Sequence, residues 1–272
     1  MKTRNISLLL LASLSLIYCQ PIAEEDSTQY SQFIAHEENT SAFEIDLLNL
    51  SFFLDTIEVK IKKDMVFKQE KHYQAFELRA ILDRHLKQNK IDTSGIELVL
   101  VCKDGYRPSI PITSIYKGAA YLAFNDLSQQ ESWVDEAKFA PYYLVWGDEK
   151  HTAKGNAWPY GLVAIELVQK KDLFANAYPH HKPEVQQGFE LFKKNCMKCH
   201  SVNKVGGNMG PEFNYPKNIT EYWSRKDILA FVQNPFSFRY NSKMRPVKHL
   251  QENELMQIVD YLEYMVDQKL GD

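Results

Sequence analysis

The sequence predicts two folded regions of different class. An α+β domain with a mixed sheet spans residues 47–170, and an all-α domain spans residues 184–268. Three observations carry this. Ile57, Val59 and Ile61 alternate with Glu58, Lys60 and Lys62, the pattern of a half-buried strand. Ile96-Glu97-Leu98-Val99-Leu100-Val101-Cys102 is a second strand, rich in branched aliphatic residues. Beyond residue 184 the period changes: Gly188 and Phe192 lie four apart, and Leu255, Ile258, Val259 and Leu262 share one helical face. A length of 272 residues accommodates two such domains.

The remaining elements follow in chain order. Lys2 and Arg4 precede the apolar run Leu8–Tyr18, which reads as a secretory leader over residues 1–19, too short for a comfortable membrane span. Leu16-Ile17-Tyr18-Cys19 resembles a bacterial lipoprotein box, which makes Cys19 the lipidation candidate; ordinary cleavage nearby is the alternative. Residues 20–46 are a polar tether. In the first domain, Ala75–Leu86 is a helix candidate, Asp104-Gly105 a turn, and Pro141–Trp146 and Leu162–Val168 two further strands. Cys102 reads as a buried strand filler. Trp146, Trp158 and Tyr160 read as core or domain interface, His72 and His151 as exposed. Pro179 and Pro183 bracket His180 and His181 in a linker over residues 171–183.

The helical region begins with Glu184–Asn195, whose end delivers Cys196. A glycine loop, Val205–Pro211, follows, then a helix over Ser224–Val232 with Ser224 as its N-cap, stopped by Asn234-Pro235. Residues 241–246 are extended or looped, and Glu252–Val266 is the last helix.

Chemistry concentrates in Cys196-Met197-Lys198-Cys199-His200. Two cysteines separated by two residues and followed by histidine form the attachment pattern of a c-type haem. Each thiol adds across one vinyl group, the spacing lets both reach one ring edge, and the adjoining imidazole binds the iron from the proximal side. A zinc half-site would want a second ligand pair, but Cys19 and Cys102 are isolated; a redox CxxC would want a βαβ context that the flanks lack. Net charge is -3 and no basic patch stands out, which argues against a nucleic-acid binder.

Residues 184–268 resemble a class I cytochrome c through Gly188, Phe192, the CxxCH stretch, Gly210-Pro211, Asn234-Pro235 and a later methionine. The resemblance implies that Gly188 and Phe192 cross the last helix near Ile258 and Tyr261. It implies that the Pro211 carbonyl accepts a hydrogen bond from His200, and that Met244 is the distal iron ligand. Met209 competes for that role but precedes the proximal Gly-Pro pair; Met197 is fixed between the cysteines; Met256 and Met265 sit at core helical positions; His249 is the alternative of different chemistry.

The first domain resembles the latter part of the sulfite oxidase-type molybdopterin-binding domain over about 120 residues. The resemblance runs through Phe76–Leu82, Val101–Tyr106, Ser109-Ile110-Pro111, Ala120–Phe124, Ala140–Val145 and Ala157-Trp158-Pro159-Tyr160. The family's metal-binding cysteine lies upstream of the Asp-Gly-Tyr strand, where this chain has none between Cys19 and Cys102. The resemblance therefore implies the fold in degenerate form, without molybdopterin.

These readings converge on an exported, periplasmic or otherwise extracytoplasmic electron carrier with one covalent haem c. It would exchange single electrons with redox partner proteins, bind no nucleic acid, and associate with a membrane through a lipidated Cys19. Its first domain would serve as a docking or scaffold module. The alternative is a fused molybdenum oxidoreductase of the sulfite oxidase type passing electrons to its own haem; a peroxidase or gas sensor would need an open axial position.

Overall fold

The computed structural model describes residues 43–46, 54–128, 138–147 and 156–270. The leader, Cys19, nearly all of the tether and His151 lie outside them.

The first domain is one curled sheet. Its strands are β1 (Phe43–Asp46), β2 (Ile57–Ile61), β3 (Lys71–Glu77), β4 (Ile96–Cys102), β5 (Ser109–Pro111), β6 (Ala120–Asp126), β7 (Tyr142–Trp146) and β8 (Tyr160–Gln169). They lie in the order β2-β3-β6-β7-β8-β4-β5, with β1 also paired to β8. Every ladder among the described residues is antiparallel, so the mixed sheet expected from sequence is corrected. Helix α1 (Leu78–Asn89) follows β3 but does not lead to a parallel neighbour; it carries the chain to β4, on the far side of the sheet, and a short helix α2 (Ile112–Lys117) joins β5 to β6. The sheet also takes in Phe43–Asp46, paired with Ala164–Leu167, at the end of the segment read as tether.

Strand β3 displaces the start of the expected helix. Lys71, Tyr73 and Ala75 are buried while His72 and Gln74 are less so, the two-residue period of a strand. The helix begins three residues later than the sequence suggested, at Leu78, and buries Leu78, Ile81, Leu82 and Leu86. They pack on the face built from Leu98, Leu100, Leu122, Leu144 and Ile165. Ile61, Tyr73, Ala123, Phe139, Tyr143 and Val145 form a second core. All five residues of β7 are buried, because Tyr142, Leu144 and Trp146 serve one core and Tyr143 and Val145 the other.

Two buried carboxylates fix this domain. Asp64, fully buried, accepts from Tyr73 Oη at 2.9 Å, from Tyr143 Oη at 3.1 Å, and from the Val66 and Phe67 amides at 2.7 and 2.9 Å. That closes the β2–β3 loop. Asp126 pairs with Lys71 at 2.7 Å, with both side chains almost wholly excluded from water.

The second domain centres on two crossed helices, α4 (Gln186–Asn195) and α7 (Glu252–Met265), as the helical period implies. A Cβ on Gly188 would fall 2.0 Å from the Gln257 carbonyl oxygen and 2.9 Å from Tyr261 Cβ, so the crossing requires glycine. Two further helices, α5 (Arg225–Gln233) and α6 (Pro235–Phe238), sit between them in sequence. Ser224 caps α5 by accepting from the Asp227 amide at 3.2 Å. Residues 174–183 also differ from a solvated linker. After the short helix α3 (Lys170–Leu173), Ala177 is wholly buried in this core and its carbonyl accepts from Tyr261 Oη at 2.8 Å. The Tyr178 ring meets Phe189 edge-on at 5.2 Å.

Candidate haem-attachment site

The end of α4 delivers the cysteines. The Cys196 amide bonds to the Phe192 carbonyl at 2.8 Å, and both Cys199 and His200 bond back to the Cys196 carbonyl at 3.0 Å. Cys196–His200 is therefore one more turn, and residues three apart in such a turn share a face, which brings both thiols to one side. Met197, between them, is 4% exposed and packs into the domain core, while Lys198 points to solvent. Neither sulfur is in a disulfide, and burial pushes the pKa of each thiol up.

His200 is held from several directions. Its Nδ1 lies 2.9 Å from the Pro211 carbonyl, so Nδ1–H donates and Nε2 keeps its lone pair. Burial lowers the imidazole pKa, and the Pro211 bond only partly opposes this, which favours the neutral ring that ligates metals. Phe213 stacks on the ring at 4.3 Å and 20°. A Cβ on Gly210 would fall 2.3 Å from Cε1 and 2.8 Å from Nε2, so only glycine lets the loop lie against the imidazole.

Beneath this loop runs a ladder of asparagines with side chains almost completely buried. Asn203 Nδ2 donates to the carbonyls of Asn176 (2.9 Å) and Gln268 (2.8 Å). Asn214 Nδ2 donates to Asn203 Oδ1 and the Met265 carbonyl, both at 2.8 Å. Asn218 Nδ2 donates to Asn214 Oδ1 and the Leu262 carbonyl, both at 2.8 Å. The ladder ties the residue next to Phe213 to the last turn of α7.

The proposed axial candidates separate by environment. Met197 and Met265 are buried in the core, Met209 is 40% exposed, and Met256 is half-buried on α7. His249 is exposed, with Nε2 2.9 Å from Asn195 Oδ1. Met244 is half-buried on the irregular segment between α6 and α7, its amide bonded to Ser242 Oγ at 3.2 Å.

Residues 183–262 match the family model described as cytochrome c oxidase, cbb3-type, subunit III. This region is a cytochrome c domain. Such a domain implies haem c, and the donor set fits: a cysteine pair on one turn, and an imidazole whose outer nitrogen is committed to a carbonyl. Among the described residues no group of three His, Cys, Asp or Glu side chains could hold a metal ion. No helix among them is long and apolar enough to cross a membrane.

Among the described residues the sheet domain offers no group of three metal-ligating side chains. Cys102, its cysteine among the described residues, is 3% exposed, faces the main core, and has its thiol pKa raised by burial. Such a buried, protonated thiol does not fit a molybdenum ligand. Trp146 lies in the same core, its Nε1 donating to the Ala157 carbonyl at 2.9 Å.

The sheet domain meets the attachment loop directly. The Arg107 amide donates to the Lys198 carbonyl at 2.9 Å, and the Asn208 amide donates to the Gly105 carbonyl at 3.0 Å. Arg107 Nη2 also grips the buried Glu166 carboxylate at 2.8 and 3.0 Å, which pins the β4–β5 turn to the sheet. Sequence reasoning missed this contact, Phe213 and the asparagine ladder. The Asp104-Gly105 turn was visible; its partner was not.

Proposed function

We propose that the chain is an exported c-type cytochrome with one haem that moves single electrons between redox proteins. Cys196 and Cys199 would hold the haem by thioether bonds, each S–H adding across one vinyl group. His200 would ligate the iron from the proximal side and Met244 from the distal side. The observation that carries this reading is the 2.9 Å contact from His200 Nδ1 to the Pro211 carbonyl in the turn that follows the two thiols. When bound, the haem supplies a reversible one-electron couple. The chain's residues do the rest: Pro211 makes the imidazole a better donor, Phe213 and Gly210 fix its plane, and a thioether on the far side favours the ferrous state. With His200 and Met244 both committed to the iron, the chain would leave no position for a substrate there, and the bound group would serve electron exchange alone.

Export rests on the leader before Cys19, and a lipidated Cys19 would add a membrane anchor. The sheet domain, read as a degenerate molybdopterin-type fold, serves as a scaffold, supported by its hydrogen bonds to the attachment loop. Iron and molybdenum analysis of protein from a molybdopterin-competent host, together with the optical spectrum, tests this. One iron per chain, no molybdenum, and loss of the low-spin His/Met spectrum in Met244→Ala with haem still attached are expected. Equal iron and molybdenum, or an unchanged spectrum in that variant, would overturn the corresponding part.

A further inference from the structure

The stretch from Ile228 to Gln251 contains no acidic residue, although the chain as a whole carries net charge -3. It holds Arg239, Lys243, Arg245 and Lys248, all exposed and none in an ion pair among the described residues. Beside them stand the most exposed large apolar side chains of the segment: Phe236 at 51%, Phe238 at 46% and Tyr240 at 98%. Leaving such rings in water costs free energy that burial elsewhere would recover. The same segment carries Met244. One side of the Cys196–His200 loop is already occupied by the chain's own Asp104–Arg107 turn.

We infer that residues 236–249 form the docking face for an external redox protein that presents a carboxylate-rich surface. The inference rests on the electron-transfer reading above and adds which surface is used and by what kind of partner. Unpaired cations around exposed aromatic rings match the composition of transient interfaces, where charge steers the encounter and rings bury on contact. An anionic membrane would want a longer amphipathic helix than this, and α6 has 4 residues.

The test uses the full-length ferrous holoprotein and two kinds of probe. Hexacyanochromate(III), a redox-inert paramagnetic trianion, should broaden the amide resonances of residues 236–249 and spare those of 103–108. The double variant Arg239→Glu/Lys248→Glu, which leaves both neighbours of Met244 untouched, should suppress that broadening. It should also slow oxidation by hexacyanoferrate(III) about threefold at low salt and speed oxidation by cationic tris(phenanthroline)cobalt(III). Both rate effects should vanish near ~1 M salt, where the screening length falls to about 3 Å. Broadening centred elsewhere, or unchanged rates, would overturn the inference. So would wild-type binding to phosphatidylglycerol vesicles that the variant loses, which would assign the face to a membrane. A protein that carries no haem would sink the electron-transfer reading instead, and its absorption spectrum shows that before any probe is added.

Discussion

Asn214→Ala isolates the contribution of the buried ladder. In the wild type Asn214 makes three side-chain hydrogen bonds, each 2.8 Å long: two donated, to Asn203 Oδ1 and the Met265 carbonyl, and one accepted from Asn218 Nδ2. Alanine removes all three, and the partners stay in a region from which water is excluded. At about 1 kcal/mol per lost bond, rising where the stranded group finds no water, the variant should lose about 3–5 kcal/mol. Urea unfolding followed by haem absorbance and by tyrosine fluorescence measures this. Asn214→Asp sharpens the test because a carboxylate accepts but cannot donate. Placed against two acceptors and out of water, its folded pKa must rise above the unfolded value of about 3.9. An acid whose folded pKa is raised binds more protons folded than unfolded, so its stability relative to wild type falls as pH rises above that value. The deficit should therefore be larger at pH 7 than at pH 4. A loss under about 1 kcal/mol in Asn214→Ala, or the opposite pH slope in Asn214→Asp, would refute the ladder as a source of stability.

Two further perturbations probe the sheet domain. Lys71→Met strands the buried Asp126 carboxylate and should cost about 3–5 kcal/mol at pH 7, most of it recovered by adding Asp126→Asn, as urea midpoints would show. Burial pushes the Asp126 pKa up, but hydrogen bonds from Lys71 and Ser128 outweigh it and hold it below the ordinary value. Its contribution is therefore complete above about pH 4 and is lost as pH falls through the lower folded value, and Lys71→Met should remove this acid-side slope. Gly105→Ala places a Cβ 2.0 Å from Asn208 Oδ1 and 2.8 Å from the Met209 nitrogen, at a φ of +85° that favours glycine. It should open the contact with the attachment loop, so that the Arg107 and Asn208 amides exchange hydrogen faster while the haem spectrum persists. Unchanged protection at both amides would show that the turn does not hold the domains together.

What the sequence made legible was local. The CxxCH turn, the Gly210-Pro211 pair, the Ser224 cap and the Gly188 crossing each depend on residues within one or two turns, or on a single close approach that only glycine permits. Strand β4 was read residue for residue, because six apolar positions of seven, interrupted only by Glu97, leave little choice. The sheet order was not legible, since it depends on pairing between segments distant in sequence: β3 with β6, and β4 with β8. Strand β3 itself was hidden because Phe76, Leu78, Ile81 and Leu82 fit a helical period, and only its pairing with β6, which runs on to Glu77 opposite Tyr121, shows where the strand yields to the helix. The ladder was invisible for a different reason. Asn203, Asn214 and Asn218 lie outside any apolar periodicity, and nothing local says that three polar side chains will be buried against the carbonyls at the end of α7.

The contact between the β4–β5 turn and Lys198 bears on how the two domains act together. A cytochrome c domain needs its attachment loop held still, because the histidine that follows must keep its plane. Here part of that holding comes from outside the domain: Gly105 and Arg107 bond to the loop through main-chain groups, and Arg107 is itself fixed by Glu166. Main-chain bonds of this kind need no particular side chain on the loop, so Lys198 is free to remain exposed. The consequence is directional. One approach to the loop is closed by the chain itself, while the acid-free segment with Met244 faces outward in a protein that is otherwise net negative. An acidic surface that approached the acid-free segment would be attracted there, although the chain as a whole is net negative. On the docking inferred above, the charge distribution would orient the encounter before any ring is buried.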